Sequence, residues 1–161
     1  MSEISQSLVK SILNYNPDTG VFVWEAQRKK IVVGSVAGGD NGHGYWVIRI
    51  DGRLYRAHQL AWLYVYGEWP DRQIDHINGN RSDNRISNLR LATQSQNNAN
   101  TRVLSSMSGI KGVGMHNGRW RAQIRIDGKK VHLGYFDCPA VAHFAYQIAA
   151  DNHFGEYARI A

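Results

Sequence analysis

The sequence predicts an α+β fold: a β-rich N-terminal region and a strand–loop–strand–helix segment, followed by a three-stranded antiparallel sheet with one helix. Three observations predict it. Runs of β-branched and aromatic residues are bounded by glycines, Asp-Gly and Asn-Gly pairs lie between such runs as hairpin turns, and other stretches carry apolar residues at helical spacing.

Four elements are predicted before the Trp69-Pro70 break, each from its apolar pattern. Their ranges are 3–13 for a helix, 21–26 and 45–58 for strands, and 57–67 for a second helix. Asp51-Gly52 supplies a hairpin turn within the second strand range, and Gly67 ends the second helix.

The C-terminal part of the chain predicts a compact unit of three strands and one helix. The ranges are 110–118, 119–128 and 129–136 for the strands and 138–155 for the helix. Five helix residues form an apolar stripe that should face the sheet: Val141, Phe144, Ala145, Ile148 and Ala149. A polar connection precedes this unit, which predicts domains at residues 1–100 and 109–161 with a linker at 101–108.

Composition limits the partners and the kinds of site. A formal net charge of +6 predicts a polyanionic partner, either nucleic acid or a membrane face. The single cysteine, Cys138, excludes an internal disulfide and a cysteine-based zinc site. No apolar run is long enough to span a bilayer and no signal-peptide pattern opens the chain, so we expect a soluble, cytoplasmic protein.

Residues 119–126 alternate between basic and apolar side chains. Arg119, Arg121, Gln123 and Arg125 fall on one face of the predicted strand, and the opposite face would pack on the helix. Like charges on one sheet face are unfavourable unless something neutralises them. A solvated basic face and a sheet that binds DNA phosphates and base edges are both compatible with this pattern, and arginine with glutamine favours base readout.

Residues 108–160 resemble an AP2-type DNA-binding domain through their "KGV", "W-x-A-x-I", "LG-x-F" and "A-x-A-Y" elements. The resemblance implies a three-stranded sheet in the major groove of double-stranded DNA and a supporting helix behind it. With Arg121 from the alternation, the DNA-facing set is Lys111, His116, Arg119, Arg121, Gln123, Arg125, Lys130 and His132. Gly114 and His132 replace an arginine and a tryptophan of the plant pattern, so the plant target sequence is not implied.

Residues 73–102 concentrate seven asparagines around the adjacent pair Asp75 and His76. Hydrolysis of a phosphodiester needs a base near neutral pH and a way to stabilise charge on the leaving oxygen. Histidine suits the first task, and a hard cation held by carboxylate and amide oxygens suits the second. The segment predicts a strand, a polar loop, a returning strand over 86–92, and a helix that Thr93 and Gln96 begin as a capping box.

Residues 74–100 resemble the HNH, or ββα-metal, nuclease motif of phage and intron homing endonucleases, and "DHINGN" and "N-L-R" are its specific signatures. The resemblance implies that His76 is the general base and that Asn88 ties the loop together and orients His76. Asp75 and Asn97 become the metal ligands. Asparagine at the third motif position favours Mg²⁺ or Mn²⁺ over Zn²⁺.

Three further residues, within or just before this motif, are candidates for a role at the site. Arg81 and Arg90 are candidates for holding the phosphate. His58 matches a pattern that often precedes the motif, and we expect a structural histidine with its hydrogen bonds satisfied, a catalytic role being the alternative. A phage-encoded enzyme would act in the cytoplasm of the host cell.

These features predict a metal-dependent homing-type DNA endonuclease. One motif per chain, without an obvious dimer surface, predicts a monomeric nickase. Two alternatives stay open. The chain is a sequence-specific DNA-binding regulator if the nuclease segment is only scaffold. It is an RNA-binding protein if exposed aromatic residues form a stacking surface. The sequence pattern argues against the RNA-binding alternative, because it predicts that the C-terminal aromatic residues face the apolar side.

Overall fold

A computed structural model of the chain describes residues 4–101 and 108–159. It divides into two compact units, residues 1–91 and 92–161. No helix in the described ranges is both long and apolar enough to cross a bilayer.

The described residues form four helices and ten strands, in short antiparallel sheets. The helices are α1 (Gln6–Ile12), α2 (Ala57–Tyr66), α3 (Gln94–Ala99) and α4 (Pro139–Phe154). The strands of the first unit and its boundary are β1 (Leu13–Asn16), β2 (Val21–Trp24), β3 (Gly39–Asp40), β4 (Trp46–Ile50), β5 (Arg53–Arg56), β6 (Gln73–His76) and β7 (Leu89–Ala92). Those of the second unit are β8 (Val113–His116), β9 (Arg119–Ile126) and β10 (Lys129–Phe136).

The first unit contains three antiparallel sheets: β1 with β2, β3 with β4 and β5, and β6 with β7. Its core joins both helices to these strands, and the largest fully buried side chains are Phe22, Leu13, Ile48, Ile50, Leu60, Leu63 and Val9. The predicted helices and the Asp51-Gly52 hairpin are confirmed, whereas β1 and β3 were not predicted. Residues 86–88 form a 3₁₀ turn before β7, so the returning strand is shorter than predicted.

The second unit has a three-stranded antiparallel sheet in the order β10–β9–β8, with α4 packed on one face. The predicted strands and helix are confirmed, including Pro139 in the first turn of α4 and Gly155 after its end. The capping box of Thr93 and Gln96 is also confirmed, and it begins α3. The α3 helix packs within this unit, because the backbone N–H of Arg159 donates to the carbonyl of Ala99 at 3.2 Å.

The predicted apolar stripe of α4 is confirmed at Ala145 and Ala149, which pack against the core, and wrong at its three larger residues. Val141, Phe144 and Ile148 are 52%, 61% and 48% exposed. The helix instead buries four residues at a spacing of four: Ala142, Tyr146, Ala150 and Phe154. Small alanines on this face let the helix lie close to the sheet, which leaves the bulkier row in solvent.

The boundary between the two units precedes the predicted linker. Residues 102–107 of that linker, 101–108, lie outside the described residues. Because α3 packs within the second unit, the compact units do not follow the predicted domain bounds; a functional division at 1–100 and 109–161 stays a prediction.

Candidate active site

Asp75 and His76 are the last two residues of β6, and both are buried, at 3% and 5% exposure. Neighbouring side chains point to opposite faces of an ideal strand, so a shared site requires a strand end or a distortion. The strand does end here, because the backbone N–H of Gly79 donates to the carbonyl of His76 at 2.7 Å and starts a turn. The pair therefore stands at the end of the strand, where the alternation of side chains can be interrupted.

The imidazole of His76 is oriented by Asn84. Nε2 of His76 lies 3.3 Å from Oδ1 of Asn84, whose Nδ2 donates to the carbonyl of Ser82 at 3.2 Å. A carbonyl only accepts, so this second bond fixes which end of the amide faces the ring. Nε2 must then carry the proton, which leaves the lone pair on Nδ1. Burial lowers the pKa of His76, against the opposing hydrogen bond to Asn84, and keeps the ring neutral.

Asn88, predicted to tie the loop together and orient His76, bonds to the loop. Its Oδ1 accepts from the backbone N–H of Asn78 at 3.0 Å. Its Nδ2 donates to Oδ1 of Asn78 at 3.1 Å and to the carbonyl of Asp83 at 2.8 Å. The loop-tying geometry is present, but the partner at the ring of His76 is Asn84. Sequence reasoning missed Asn84, whose only signal was the density of asparagines.

The N-terminal hairpin holds the backbone of Asn84 in place. The hydroxyl of Tyr15 donates to its carbonyl at 2.7 Å, and both residues are buried. Gly20, with φ of 73°, packs so closely that an added Cβ would collide with the backbone of Asn84 and Arg85. The β1–β2 hairpin therefore supports the loop that carries Asn84 and Arg85, a role that local sequence patterns did not predict.

Asp75 forms a buried ion pair with Arg90. Nε of Arg90 lies 2.9 Å from Oδ2 of Asp75, and the two side chains are 12% and 4% exposed. Arg90 is thus engaged with a carboxylate of the protein, and its role in holding the phosphate stays a prediction. Arg81 keeps an exposed side chain.

The donor chemistry beside His76 fits a hard cation. Mg²⁺ is held by one or two carboxylates together with water and substrate phosphate, and Asp75, which also pairs with Arg90 through Oδ2, is the carboxylate adjacent to His76 in the chain. Over residues 4–101 and 108–159, no three His, Cys, Asp or Glu side chains are grouped to hold a metal ion. A zinc site closed by protein ligands does not match this donor set.

Asn97, the other predicted metal ligand, lies in the second unit. It is half-buried in the first turn of α3, where its backbone N–H donates to the carbonyl of Thr93 at 2.9 Å. Its role as a ligand together with Asp75 stays a prediction.

His58 lies against His76 in the first unit. The two rings meet edge to face with centroids 4.9 Å apart. His58 is 3% exposed, and its Nδ1 is buried without a hydrogen-bond partner among the described residues. Burial is the largest cause that lowers the pKa of His58 to about 3, and the proximity of His76 and Arg56 lowers it further. The expectation of a histidine with satisfied hydrogen bonds is therefore wrong at Nδ1.

In the second unit, the sheet face opposite α4 carries the predicted basic surface. Arg125 pairs with Lys130 across the strands, Gln123 with His132, and Arg119 with His116. Except for half-buried Gln123, these six residues are exposed. Arg119 also contacts Asp137, with Nε and Oδ1 3.3 Å apart.

Two residues of this face depart from the prediction. Arg121 is half-buried, and its Nε has no partner in the described part of the chain. Tyr135 lies on the basic face, with its ring centroid 5.6 Å from that of His116 and 4.6 Å from that of His132. The prediction that the aromatic residues all face the apolar side is therefore wrong.

Lys111 does not belong to the exposed face. Its ammonium donates to the carbonyls of Ala99 and Thr101, the latter at 2.8 Å, and to that of Arg159 at 3.4 Å. Burial, with a smaller effect of Arg159, lowers the pKa of Lys111 to about 8. These carbonyls include the end of α3, so the lysine closes that helix and its ammonium is engaged within the protein.

Comparisons with known proteins match the segment that contains Asp75 and His76. A family model described as HNH endonuclease matches residues 55–99. Protein 3.8 of Escherichia phage T7 is 32% identical over 108 residues, which cover 65% of this chain and 88% of that protein. An uncharacterized HNH endonuclease of Acanthamoeba polyphaga mimivirus is 30% identical over 116 residues, covering 71% of this chain and 61% of the relative. The chain thus spans about three fifths of the length of the mimivirus protein.

Proposed function

Because residues 55–99 match the HNH endonuclease family, we propose that the chain is a divalent-metal-dependent DNA endonuclease with His76 as its general base. The observation that carries this proposal is the buried, neutral imidazole of His76, whose proton is held on Nε2 by Asn84. A neutral ring with its lone pair on Nδ1 is the form a general base requires.

The proposed reaction is direct attack of water on the phosphodiester. Nδ1 of His76 takes a proton from the water while the oxygen of that water forms a bond to phosphorus. The bond from phosphorus to one bridging oxygen breaks in the same step. Asn84 keeps the hydrogen bond to Nε2 throughout, so it stabilises the imidazolium that forms. Mg²⁺ or Mn²⁺, when held at this site, would supply positive charge to neutralise the leaving oxygen. Asp75 is the proposed anchor for that ion, and the sequence resemblance adds Asn97.

We assign double-stranded DNA binding to the exposed face of the C-terminal sheet. Cross-strand pairs of like charge, such as Arg125 with Lys130, are unfavourable on a free sheet and become favourable against phosphates. The proposed DNA-facing residues are His116, Arg119, Arg121, Gln123, Arg125, Lys130 and His132. The AP2-like identity of this unit rests on the sequence elements alone.

A single His76 motif per chain supports cleavage of one strand by a monomer, and the resemblance to phage and intron enzymes supports a homing-type nuclease. Incubation with supercoiled DNA and Mg²⁺ tests both the activity and its outcome. We expect relaxed circles that EDTA abolishes. Linear product, with twice the chain mass on DNA by sedimentation, would contradict the monomeric nickase. Salt-sensitive binding without cleavage of any DNA would favour the regulator with an inactive nuclease scaffold.

A further inference from the structure

Two arginines lie on the ring of Tyr45 beside the candidate active site. The guanidinium carbons of Arg56 and Arg81 are 4.9 and 5.0 Å from the ring centroid. Arg56 and Arg81 are both exposed, and neither forms an ion pair within the described part of the chain. Arg81 has one long contact, from Nη1 to the carbonyl of His43 at 3.5 Å.

This cluster adjoins the proposed general base. The ring centroid of Tyr45 lies 6.3 Å from that of His76 and 5.6 Å from that of His58. Arg56 directly precedes α2, a helix of ten residues whose N-terminal N–H groups have no side-chain cap. Guanidiniums and an uncapped helix N-terminus each favour a bound anion.

Two guanidiniums on one ring concentrate positive charge beside the site, which favours a bound anion. Three carboxylates from this part of the chain are already engaged: Asp51 with Arg28, Asp75 with Arg90 and Asp83 with Arg85. A phosphate diester, whose oxygens match the fork of a guanidinium, supplies the missing negative charge.

We infer that Arg56 and Arg81, positioned by the ring of Tyr45, bind the phosphate that is cleaved beside His76. The inference rests on the proposed nuclease function and adds its phosphate-binding residues. The two guanidiniums hold the non-bridging oxygens and stabilise the charge that grows on them during attack, while Tyr45 is a positioning residue that does not touch the phosphate.

Arginine and tyrosine substitutions test the clamp in cleavage and in binding. Arg56→Ala and Arg81→Ala should each lower the single-turnover rate at saturating DNA at least about tenfold. Tyr45→Phe retains the ring face and should cleave like wild type, whereas Tyr45→Leu should lose rate as the arginine variants do. Lys10→Ala is the matched control, because it removes one positive charge and one ring contact, 5.1 Å above Tyr64, elsewhere in the same unit.

A binding measurement separates this inference from the proposed function. In a His76→Ala background, each arginine substitution should reduce the slope of log affinity for duplex DNA against log salt by about 1, and Lys10→Ala should leave the slope unchanged. If wild type fails to cleave but these slopes change, the clamp stands and the nuclease proposal fails. If wild type cleaves and both arginine variants cleave and bind like Lys10→Ala, the clamp is wrong and the nuclease proposal stands.

Discussion

Nε2 of His76 lies 3.3 Å from Oδ1 of Asn84, and the Asn84 amide is itself fixed by its bond to Ser82. This relationship links the chemistry of the site to the N-terminal hairpin, since Tyr15 holds the backbone of Asn84 from below. The orientation of the general base therefore depends on residues far apart in the sequence.

Removal of the Asn84 amide should reduce cleavage. Asn84→Ala deletes the acceptor that keeps the proton on Nε2, so we expect a rate lower by about a hundredfold, the lower end of what a positioned base contributes. Asn84→Asp retains an acceptor and should keep more activity than Asn84→Ala. Single-turnover cleavage of duplex DNA in Mg²⁺ measures both.

The control for this prediction is Asn14→Ala, which removes an exposed amide bonded to Glu25 at 2.8 Å. Equal rates for Asn84→Ala and Asn14→Ala would show that Asn84 does not orient the base.

Asn88→Ala should destabilise the first unit. The substitution leaves the backbone N–H of Asn78 and the carbonyl of Asp83 without their partner. Unsatisfied buried groups cost about 1–3 kcal/mol each, and water reaching the loop reduces that cost, so we expect a free energy of unfolding lower by about 1–3 kcal/mol. Urea denaturation measures it; an unchanged midpoint with an unchanged slope would contradict the loop-tying role.

Stability should decrease in acid because of His58. Its pKa is about 3 in the folded chain and 6.5 in the unfolded chain, so the unfolded state takes up the proton first as the pH falls. Between these values His58 should cost about 1.4 kcal/mol of stability per pH unit, with no such effect above pH 6.5. Urea unfolding at several pH values, for wild type and His58→Phe, measures the difference.

His58→Phe should lose less free energy of unfolding than wild type as the pH falls from 6.5 to about 3. The exposed His43 provides the control, since His43→Gln should leave the dependence as in wild type. Identical pH dependences for wild type and His58→Phe would mean that this ring is not buried in its neutral form.

Substitutions of Lys111 and Arg125 in the second unit should have opposite effects on stability and on DNA binding. Lys111→Gln loses donors to the carbonyls of Ala99 and Thr101 and should lower stability without changing the salt dependence of DNA binding. Arg125→Ala removes an exposed charge and should reduce the salt slope by about 1 while leaving stability nearly unchanged. Thermal unfolding measures the stability of both variants, and DNA affinity at several salt concentrations measures their salt slopes. A reduced salt slope with unchanged stability for Lys111→Gln would return Lys111 to the DNA-facing set.

Local patterns predicted most elements of the fold correctly. The hairpin at Asp51-Gly52, the helix end at Gly67 and the capping box of Thr93 each depend on residues within one turn, so the sequence carries the needed information. The alternation of β9 also places Ala122 and Ile124 inside, as predicted.

Features set by distant contacts were not predictable in this way. The α4 sequence contains two overlapping apolar rows, and the buried one is decided by the fit to the sheet: Gly112, which lacks a Cβ, allows the ring of Tyr146 to pack on the backbone. Likewise, nothing near Lys111 indicates that its ammonium meets Ala99 and Arg159. Asn84 was hidden among similar neighbours, since its role depends on which amide reaches the ring.

The most direct test of the central claim is single-turnover cleavage of duplex DNA in Mg²⁺ by wild type, His76→Ala and the exposed control His43→Ala, with DNA affinity measured for each. We predict cleavage by wild type and His43→Ala that EDTA abolishes, and a loss of at least about a hundredfold in His76→Ala with affinity retained. Cleavage by His76→Ala at the wild-type rate would contradict the assignment of His76 as the general base.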